Sequence, residues 1–170
     1  MREAPASAAP AEAKMADRQP SSRSCFVCGR DNPVGLKVRW RNDHEVGEIR
    51  GTVSLAEHFN GYPGVVHGGI VAALLDETAG RALLLNGDFE DLMVTAKLEV
   101  LYRRPTPTNT PLTVVGRVVR RTEARVEAQA ELRLGDGTVA ARGTAVLVRT
   151  PEEIASRWEA ERPYFRVDED

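Results

Sequence analysis

The chain has 170 residues, of which 42% are hydrophobic, and its formal net charge at pH 7 is −2. This length and apolar content predict one domain with a single core. The charge gives no sign of the basic face that nucleic-acid-binding proteins usually carry. The longest apolar run contains Asp76, Glu77 and Arg81, so it does not supply the roughly 18 uncharged residues of a membrane span. We therefore expect neither a nucleic-acid partner nor a transmembrane helix.

The two ends of the chain differ in composition from its centre. Residues 1–24 are rich in Ala, Pro, Ser and charge, which predicts a disordered tail. They lack the apolar stretch of a secretory signal, and their acidic residues argue against a mitochondrial transit peptide, so a cytoplasmic location is expected. Residues 25–150 are predicted to form the domain. Residues 151–170 are predicted to form a short helix, Pro151–Arg162, and an acidic tail.

The centre of the chain predicts strands around one helix. Six segments alternate in polarity or are rich in β-branched residues. These segments are Leu36–Trp40, Val46–Val53, Leu92–Tyr102, Leu112–Arg120, Arg125–Leu134 and Val139–Arg149. Turns are expected at Asn42-Asp43 and at Asp136-Gly137, a typical hairpin dipeptide. The helix Ile70–Leu85 is apolar nearly all round, as an enclosed helix should be. The prediction is an α+β fold in which an antiparallel sheet wraps around one long central helix.

Alternation also assigns side chains to the two faces of the sheet. In Leu92–Tyr102, Val94 and Ala96 fall on the apolar face, whereas Thr95 shares the parity of the polar residues that follow it. In Arg125–Leu134, every second residue is apolar, and Glu131 belongs to the polar set that is expected to face outwards.

A glycine-rich loop leads into the helix, and it reads Asn60-Gly61-Tyr62-Pro63-Gly64-Val65-Val66-His67-Gly68-Gly69. The first turn of a helix leaves backbone N–H groups free, and glycines let a ligand oxygen approach them. Asp76 follows inside the apolar helix, where an unpaired carboxylate is costly. It lies nine residues after His67, about 13 Å along the axis at about 1.5 Å per residue. An oxyanion at this N-terminus would therefore meet an Asp76 only from a second copy of the chain.

These residues resemble the hot-dog fold acyl-CoA thioesterases, and most closely the PaaI-like and THEM4-like subgroup. The resemblance rests on the His-Gly-Gly sequence with a carboxylate nine residues after the histidine. It also rests on two flanking blocks, Cys25-Phe26-Val27-Cys28-Gly29-Arg30-Asp31-Asn32-Pro33-Val34-Gly35-Leu36 and Thr95-Ala96-Lys97-Leu98-Glu99-Val100-Leu101-Tyr102-Arg103-Arg104-Pro105. It covers about residues 25–149. The resemblance implies hydrolysis of an aryl- or medium/long-chain acyl-CoA to the free acid and CoA.

The resemblance also assigns roles to residues of this chain. Asp76 would act as nucleophile or general base, and the N–H of Gly68 or Gly69 would polarise the thioester carbonyl. His67 would lie near the thioester or would cap the helix, Thr95 would position water or the carboxylate, and Asn60 would be a polar partner from the loop. Glu77, about 100° further round the helix, is interpreted as a surface or interface charge. The geometry predicts a homodimer with the active site between its subunits, and the resemblance adds a homotetramer, which is common in the related proteins.

The coenzyme A part of the substrate would bind Arg103 and Arg104, because the planar guanidinium of arginine suits phosphate. Arg120 and Arg121 form a second basic pair that offers an alternative. No nucleotide-binding fingerprint occurs, so no cofactor is expected, and CoA would arrive with the substrate. The acyl group is expected to lie against Leu74, Leu75, Leu83 or the loop 86–92.

Cys25 and Cys28 form an isolated C-x-x-C pair. A tetrahedral zinc site needs four ligands, and the sequence offers no second pair nearby, so no metal is expected and a reduced structural pair is favoured. Two alternatives to hydrolysis stay open. In the first, the domain binds acyl-CoA without turnover, as a sensor or regulator. In the second, it acts as a hydratase or dehydratase on the same fold. An Asp at the catalytic spacing favours the hydrolase.

Overall fold

The structure is a computed structural model that describes residues 18–168. Within that range the chain forms strands β1 to β8 and α-helices α1 and α2. The elements are β1 (Arg39–Asp43), β2 (Glu48–Ser54), β3 (Asn60–Tyr62), β4 (Val65–Val66), α1 (Gly68–Arg81), β5 (Met93–Tyr102), β6 (Pro111–Arg121), β7 (Arg125–Arg133), β8 (Val139–Arg149) and α2 (Glu152–Trp158). Short 3₁₀ helices extend α1 and α2, at Ala82–Leu85 and Glu159–Tyr164.

Six strands form one antiparallel sheet in the order β1-β2-β6-β7-β8-β5. Strands β3 and β4 form a separate small hairpin just before α1. Helix α1 packs against β5, β6, β7 and β8, and the core lies between the helix and the inner face of the sheet. The predicted α+β fold with an antiparallel sheet around a central helix is confirmed.

Two glycines let the helix lie close to the sheet. A Cβ on Gly116 in β6 would lie 2.6 Å from the carbonyl oxygen of Thr78, and one on Gly143 in β8 would lie 3.1 Å from Cβ of Leu75. The first contact, with backbone, leaves no room for a side chain, and the second would require Leu75 to shift. A buried hydrogen bond of 3.3 Å from Trp40 Nε1 to Thr78 Oγ1 ties the helix to β1. The position of α1 over the sheet is therefore fixed at several points.

Element boundaries differ from the prediction in two places. The turn predicted at Asn42-Asp43 is wrong, because β1 continues through both residues and the chain turns at 44–47, where Gly47 has a φ of +75°. Helix α1 begins at Gly68, two residues earlier than predicted, and the α-helical part ends at Arg81 before the 3₁₀ turn Ala82–Leu85.

Strand β5 contains a β-bulge that changes which side chains face the helix. Thr95 pairs with Leu147 and Lys97 pairs with Val146, so Ala96 is the extra residue. A bulge inserts one residue and shifts the alternation of the strand. Thr95 and Ala96 are both exposed, but only the Thr95 side chain reaches the helix, where its hydroxyl donates to Asp76. The assignment of Thr95 to the polar face and of Ala96 to the apolar face is wrong for this reason.

Part of the expected N-terminal tail packs against the domain. Gln19 and Ser21 are buried, and Gln19 Nε2 donates to the carbonyl oxygen of Arg81 at 3.1 Å. Ser21 also forms a β-bridge with Arg166 from the C-terminal segment. Residues 1–17 of the expected tail and residues 169–170 of the acidic end lie outside the described residues. The predicted C-terminal helix is present as α2 and its 3₁₀ extension, with Pro151 at the N-cap.

Among the described residues, no helix has the length and apolar character needed to cross a membrane.

Candidate functional site

His67 caps helix α1. Its Nδ1 accepts a hydrogen bond of 2.9 Å from the N–H of Gly69 and so satisfies one of the free donors of the first turn. A Cβ on Gly61 would lie 3.3 Å from the imidazole Cδ2, so this glycine lets the ring lie against the loop. Within residues 18–168, the N–H of Gly68 has no hydrogen-bond partner. Of the two glycine amides considered from the sequence, only that of Gly68 is thus left for a ligand.

The loop before His67 is held by Glu57. One oxygen of this carboxylate accepts from Asn60 Nδ2 at 3.0 Å and from the Gly64 N–H at 2.8 Å, and the other accepts from the Thr108 hydroxyl. These hydrogen bonds, the one from Thr108 foremost, lower the pKa of Glu57 to about 2. The Asn60 side chain therefore braces the loop in this structure.

Asp76 lies mid-helix and receives a hydrogen bond of 2.8 Å from Thr95 Oγ1 to its Oδ1. The structure thereby brings together two of the residues proposed from the sequence. The second carboxylate oxygen accepts no hydrogen bond within the described chain. A carboxylate held at one oxygen and free at the other can accept a proton from water or attack a carbonyl carbon.

Asp76 and Thr95 line a cavity of about 450 Å³. Residues of α1, the start of β5, Leu147 of β8, the 86–92 loop, the loop that contains Cys25 and Cys28, and the C-terminal segment line it. Its apolar and aromatic lining includes Phe89, Leu92, Met93, Trp158 and Phe165. Of the expected acyl contacts, the 86–92 loop contributes, but Leu74, Leu75 and Leu83 do not, because they are buried in the core.

A second cavity of about 340 Å³ lies at the N-terminus of α1 and has no lining residue in common with the first. Gly68, Tyr102, Arg103 and Arg104 line it. The Tyr102 hydroxyl donates to the Gly68 carbonyl oxygen at 2.7 Å. Both arginines are exposed, and within residues 18–168 neither forms an ion pair. Of the alternative basic pair, Arg121 is engaged by Asp91.

A cluster of polar side chains forms part of the wall of the first cavity. Arg81, 4% exposed, donates from Nε to Glu77 Oε1 at 2.9 Å and from Nη2 to Cys28 Sγ at 2.8 Å. Burial raises the pKa of Glu77, whereas a hydrogen bond from Cys25 and the charge of Arg81 lower that of Cys28. Of the two interpretations from the sequence, the free surface charge is wrong for Glu77, because it forms one half of a partly enclosed ion pair.

Comparison with known proteins identifies the family. The model of the thioesterase superfamily matches residues 63–141. The protein SSO2140 of Saccharolobus solfataricus, described as an esterase, is 31% identical over 108 residues, which cover 62% of this chain and 76% of that protein. The chain belongs to the thioesterase superfamily.

Other members of the superfamily match over different lengths. The acyl-coenzyme A thioesterase THEM4 of Mus musculus is 39% identical over 59 residues, which span 33% of this chain but only 24% of THEM4. The crystal structure of RHA08564, a thioesterase superfamily protein, is 33% identical, has a TM-score of 0.68, and covers 74% of this chain and 63% of that chain. These matches to members of the thioesterase superfamily agree with the resemblance seen in the sequence motifs.

The sequence does not predict the C-terminal contribution to the first cavity. Trp158 and Phe165 lie in a segment without a recognisable motif, and both line the cavity. The only indication in the sequence is that this short segment carries more aromatic residues than a helix on the surface needs. The approach of that segment to Phe89, whose ring centroid lies 5.4 Å from that of Phe165, depends on tertiary packing.

Proposed function

We propose that the protein hydrolyses an acyl-CoA thioester to the free acid and coenzyme A. The observation that carries the proposal is the Asp76–Thr95 pair, which places a hydrogen-bonded carboxylate on the wall of a largely apolar cavity of about 450 Å³. Membership of the thioesterase superfamily supports it. Coenzyme A enters as part of the substrate, and the reaction needs no resident cofactor.

Asp76 can serve the reaction in two ways. As a general base it takes a proton from water while the water oxygen bonds to the thioester carbon, and the C–S bond then breaks to release the CoA thiolate. As a nucleophile it forms a mixed anhydride with loss of the thiolate, and water then cleaves the anhydride. In both routes the carbonyl oxygen gains negative charge and needs a donor.

The donor would come from a second copy of the chain. The Gly68 N–H belongs to the second cavity, whereas Asp76 belongs to the first, and the two cavities have separate linings. We propose a homodimer, alone or within a tetramer, in which the second cavity of one subunit meets the first cavity of its partner. Arg103 and Arg104 would then bind the CoA phosphates while the acyl group enters the cavity beside Asp76.

The lining of the first cavity favours an aryl or medium-length acyl group. Phe89, Trp158 and Phe165 present aromatic surface, and flat aromatic groups pack favourably against such rings. The volume of about 450 Å³ is at the small end of ligand pockets and would not enclose a long chain together with the CoA moiety.

The test is loss of thioester absorbance with a panel of aryl- and acyl-CoA substrates, for wild type and Asp76→Asn. Direct absorbance avoids a thiol reagent that the cysteines would consume. We expect turnover by wild type and a fall of about 100-fold or more in the variant. Asp31→Asn is the matched control, because this exposed carboxylate does not line the cavity.

The alternative, a domain that holds acyl-CoA without turnover, predicts a different outcome. Wild type and Asp76→Asn would then bind acyl-CoA equally in calorimetry, and neither would consume any substrate. That result would overturn the hydrolase proposal.

A further inference from the structure

Cys25, Cys28 and Glu77 meet on the wall of the first cavity although Glu77 is 49 residues from the nearer cysteine. Their two sulfur atoms and one carboxylate oxygen all lie within 4.8 Å of one another. The proposed hydrolysis uses none of these groups. The sequence shows only an isolated C-x-x-C pair, and the third member is supplied by helix α1.

The spacing of these atoms suits a tetrahedral metal site. Cys25 Sγ lies 3.7 Å from Glu77 Oε2. Zinc binds sulfur at about 2.3 Å and carboxylate oxygen at about 2.1 Å, so two such ligands of a tetrahedral ion lie roughly 3.6 Å apart. The 3.7 Å separation therefore leaves room for the ion without a large movement of either side chain.

The charge of the metal-bound state fits a divalent cation. With a metal bound, both thiols and Glu77 would be ionised and would carry three negative charges, and among the described residues Arg81 is the positive side chain in contact with them. A divalent ion together with Arg81 would bring this set to neutrality. Thiolate ligands combined with one carboxylate select zinc and similar thiophilic metals over magnesium or calcium.

Arg81 does not occupy the position of the ion. It donates to Glu77 through Oε1, whereas Cys25 approaches the other oxygen, Oε2. It also donates to Cys28 Sγ, a sulfur that keeps lone pairs for a metal. Such a donor behind the ligands fixes their orientation and offsets their charge.

We propose that Cys25, Cys28 and Glu77 bind one zinc-type divalent cation in the wall of the acyl cavity. Three protein ligands leave a fourth position for a water molecule from the cavity. The ion would clamp the Cys25–Cys28 loop to helix α1, one residue from Asp76. This site is independent of the proposed hydrolysis and is tested without measuring activity.

The test uses the full chain, reduced, stripped of metal with a chelator and titrated with cobalt(II) alone under anaerobic conditions. We expect one equivalent to bind and to give the sulfur-to-cobalt charge-transfer absorption and the visible bands of a tetrahedral site. Zinc added afterwards should displace cobalt and remove these bands. Analysis of the metal content by mass spectrometry should then find one zinc per chain.

Variants separate the proposed ligands from their neighbours. Cys25→Ser and Cys28→Ser should each weaken binding and reduce the charge-transfer band by about half or more, since one thiolate remains, and Glu77→Gln should weaken binding by about 10-fold or more. Asp76→Asn, one residue away, should keep the full cobalt spectrum even where it abolishes hydrolysis. Circular dichroism checks folding, and the part-exposed Cys25 serves as the informative variant if Cys28→Ser does not fold.

Two results would overturn the proposal. One is a reduced, folded protein that gives no cobalt spectrum or gives one that the cysteine variants leave unchanged. The other is a protein isolated with a Cys25–Cys28 disulfide that still binds no metal after the disulfide is reduced. That result would assign the pair to thiol redox chemistry.

Discussion

The Thr95 hydroxyl lies 2.8 Å from Oδ1 of Asp76, and it reaches this carboxylate because Ala96 bulges out of strand β5. Further along the strand, Leu98 and Val100 pack on the core. Without the bulge, regular alternation counted back from these two residues would place Thr95 on the opposite face of the sheet. An irregularity of one residue thus aligns the Thr95 side chain with Asp76 of α1 and still keeps the apolar face of β5 in the core.

We expect Thr95→Val to lower kcat about 10-fold or more with little change in KM, because it removes the hydrogen bond that orients the carboxylate but leaves the cavity volume nearly unchanged. Steady-state kinetics on the best substrate measure this split. Thr95→Ser retains the hydroxyl and should keep most of the activity. A loss in the serine variant with activity retained in the valine variant would mean that the methyl group, and not the hydrogen bond, matters.

Much of this architecture follows from the sequence. The apolar helix, the hairpin at Asp136-Gly137 and the unbroken alternation of β7 define the sheet and its central helix through local pattern alone. The face that Thr95 occupies does not follow, because a bulge depends on pairing with β8 and leaves no mark in the alternation itself.

The cluster of Cys25, Cys28, Glu77 and Arg81 could not be predicted from local sequence pattern either. Glu77 meets Cys25 and Cys28 only through the packing of the N-terminal loop on α1. Similarly, Trp158 becomes a wall of the cavity only when the C-terminal segment folds back over it. Contacts between segments this distant in the chain have no periodicity from which to predict them.

Glu131 shows that an outward-facing carboxylate can still be buried. It is 5% exposed beneath Arg133 and Arg142, and hydrogen bonds from both arginines outweigh the effect of burial and lower its pKa. We expect Glu131→Gln to cost about 2 kcal/mol in the free energy of unfolding, less than for a fully buried pair because the arginines are part exposed. Urea unfolding at pH 7 measures this difference.

The stability difference should depend on pH in a defined direction. The pKa of Glu131 is lower in the folded state than the 4.5 of an unperturbed glutamate. Its contribution is therefore complete above about pH 4.5 and is lost as the pH falls through the folded-state pKa. Glu127→Gln, on the same strand and without an ion pair in the described chain, is the control. A difference between wild type and Glu131→Gln that grows on acidification would contradict this assignment.

His67 offers a test that separates capping from chemistry. His67→Ala should lower the free energy of unfolding by about 1 kcal/mol, because the Gly69 N–H loses its acceptor. His67→Asn places a side-chain oxygen where Nδ1 lies and should restore most of that stability, as thermal unfolding can show. If the asparagine variant also restores turnover, the imidazole acts through the cap; if it is stable but inactive, the ring itself serves the reaction.

The proposed shared site predicts complementation between two inactive variants. Asp76→Asn removes the carboxylate, and Gly68→Val adds a branched side chain to the lining of the second cavity, with its Cβ in van der Waals contact, 3.5 Å, with the Tyr102 ring. Chains of the two variants, unfolded together and refolded, should regain up to about a quarter of wild-type activity, since mixed dimers hold one intact site. Each variant refolded alone is the control. No recovery from folded mixed dimers would place both groups in one subunit.

The aromatic wall predicts a change in substrate preference. Trp158→Ala should raise KM for aryl-CoA by about 10-fold, the effect of losing one large aromatic contact of about 1.5 kcal/mol, with a smaller effect on short acyl-CoA. Arg157→Ala, the preceding residue and not part of the lining, should leave both values unchanged. A uniform loss across all substrates would indicate that Trp158 holds the segment in place and does not contact the acyl group.

The C-terminal segment that carries Trp158 and Phe165 contributes no strand to the six-stranded sheet. Substitutions there can therefore accumulate without disturbing the strand pairing that positions Asp76 and Thr95. In the proposed mechanism, the reactive pair and the surface that contacts the acyl group can therefore evolve at different rates within one scaffold. A library confined to residues 158–165 would vary that surface and leave Asp76 and Thr95 unchanged.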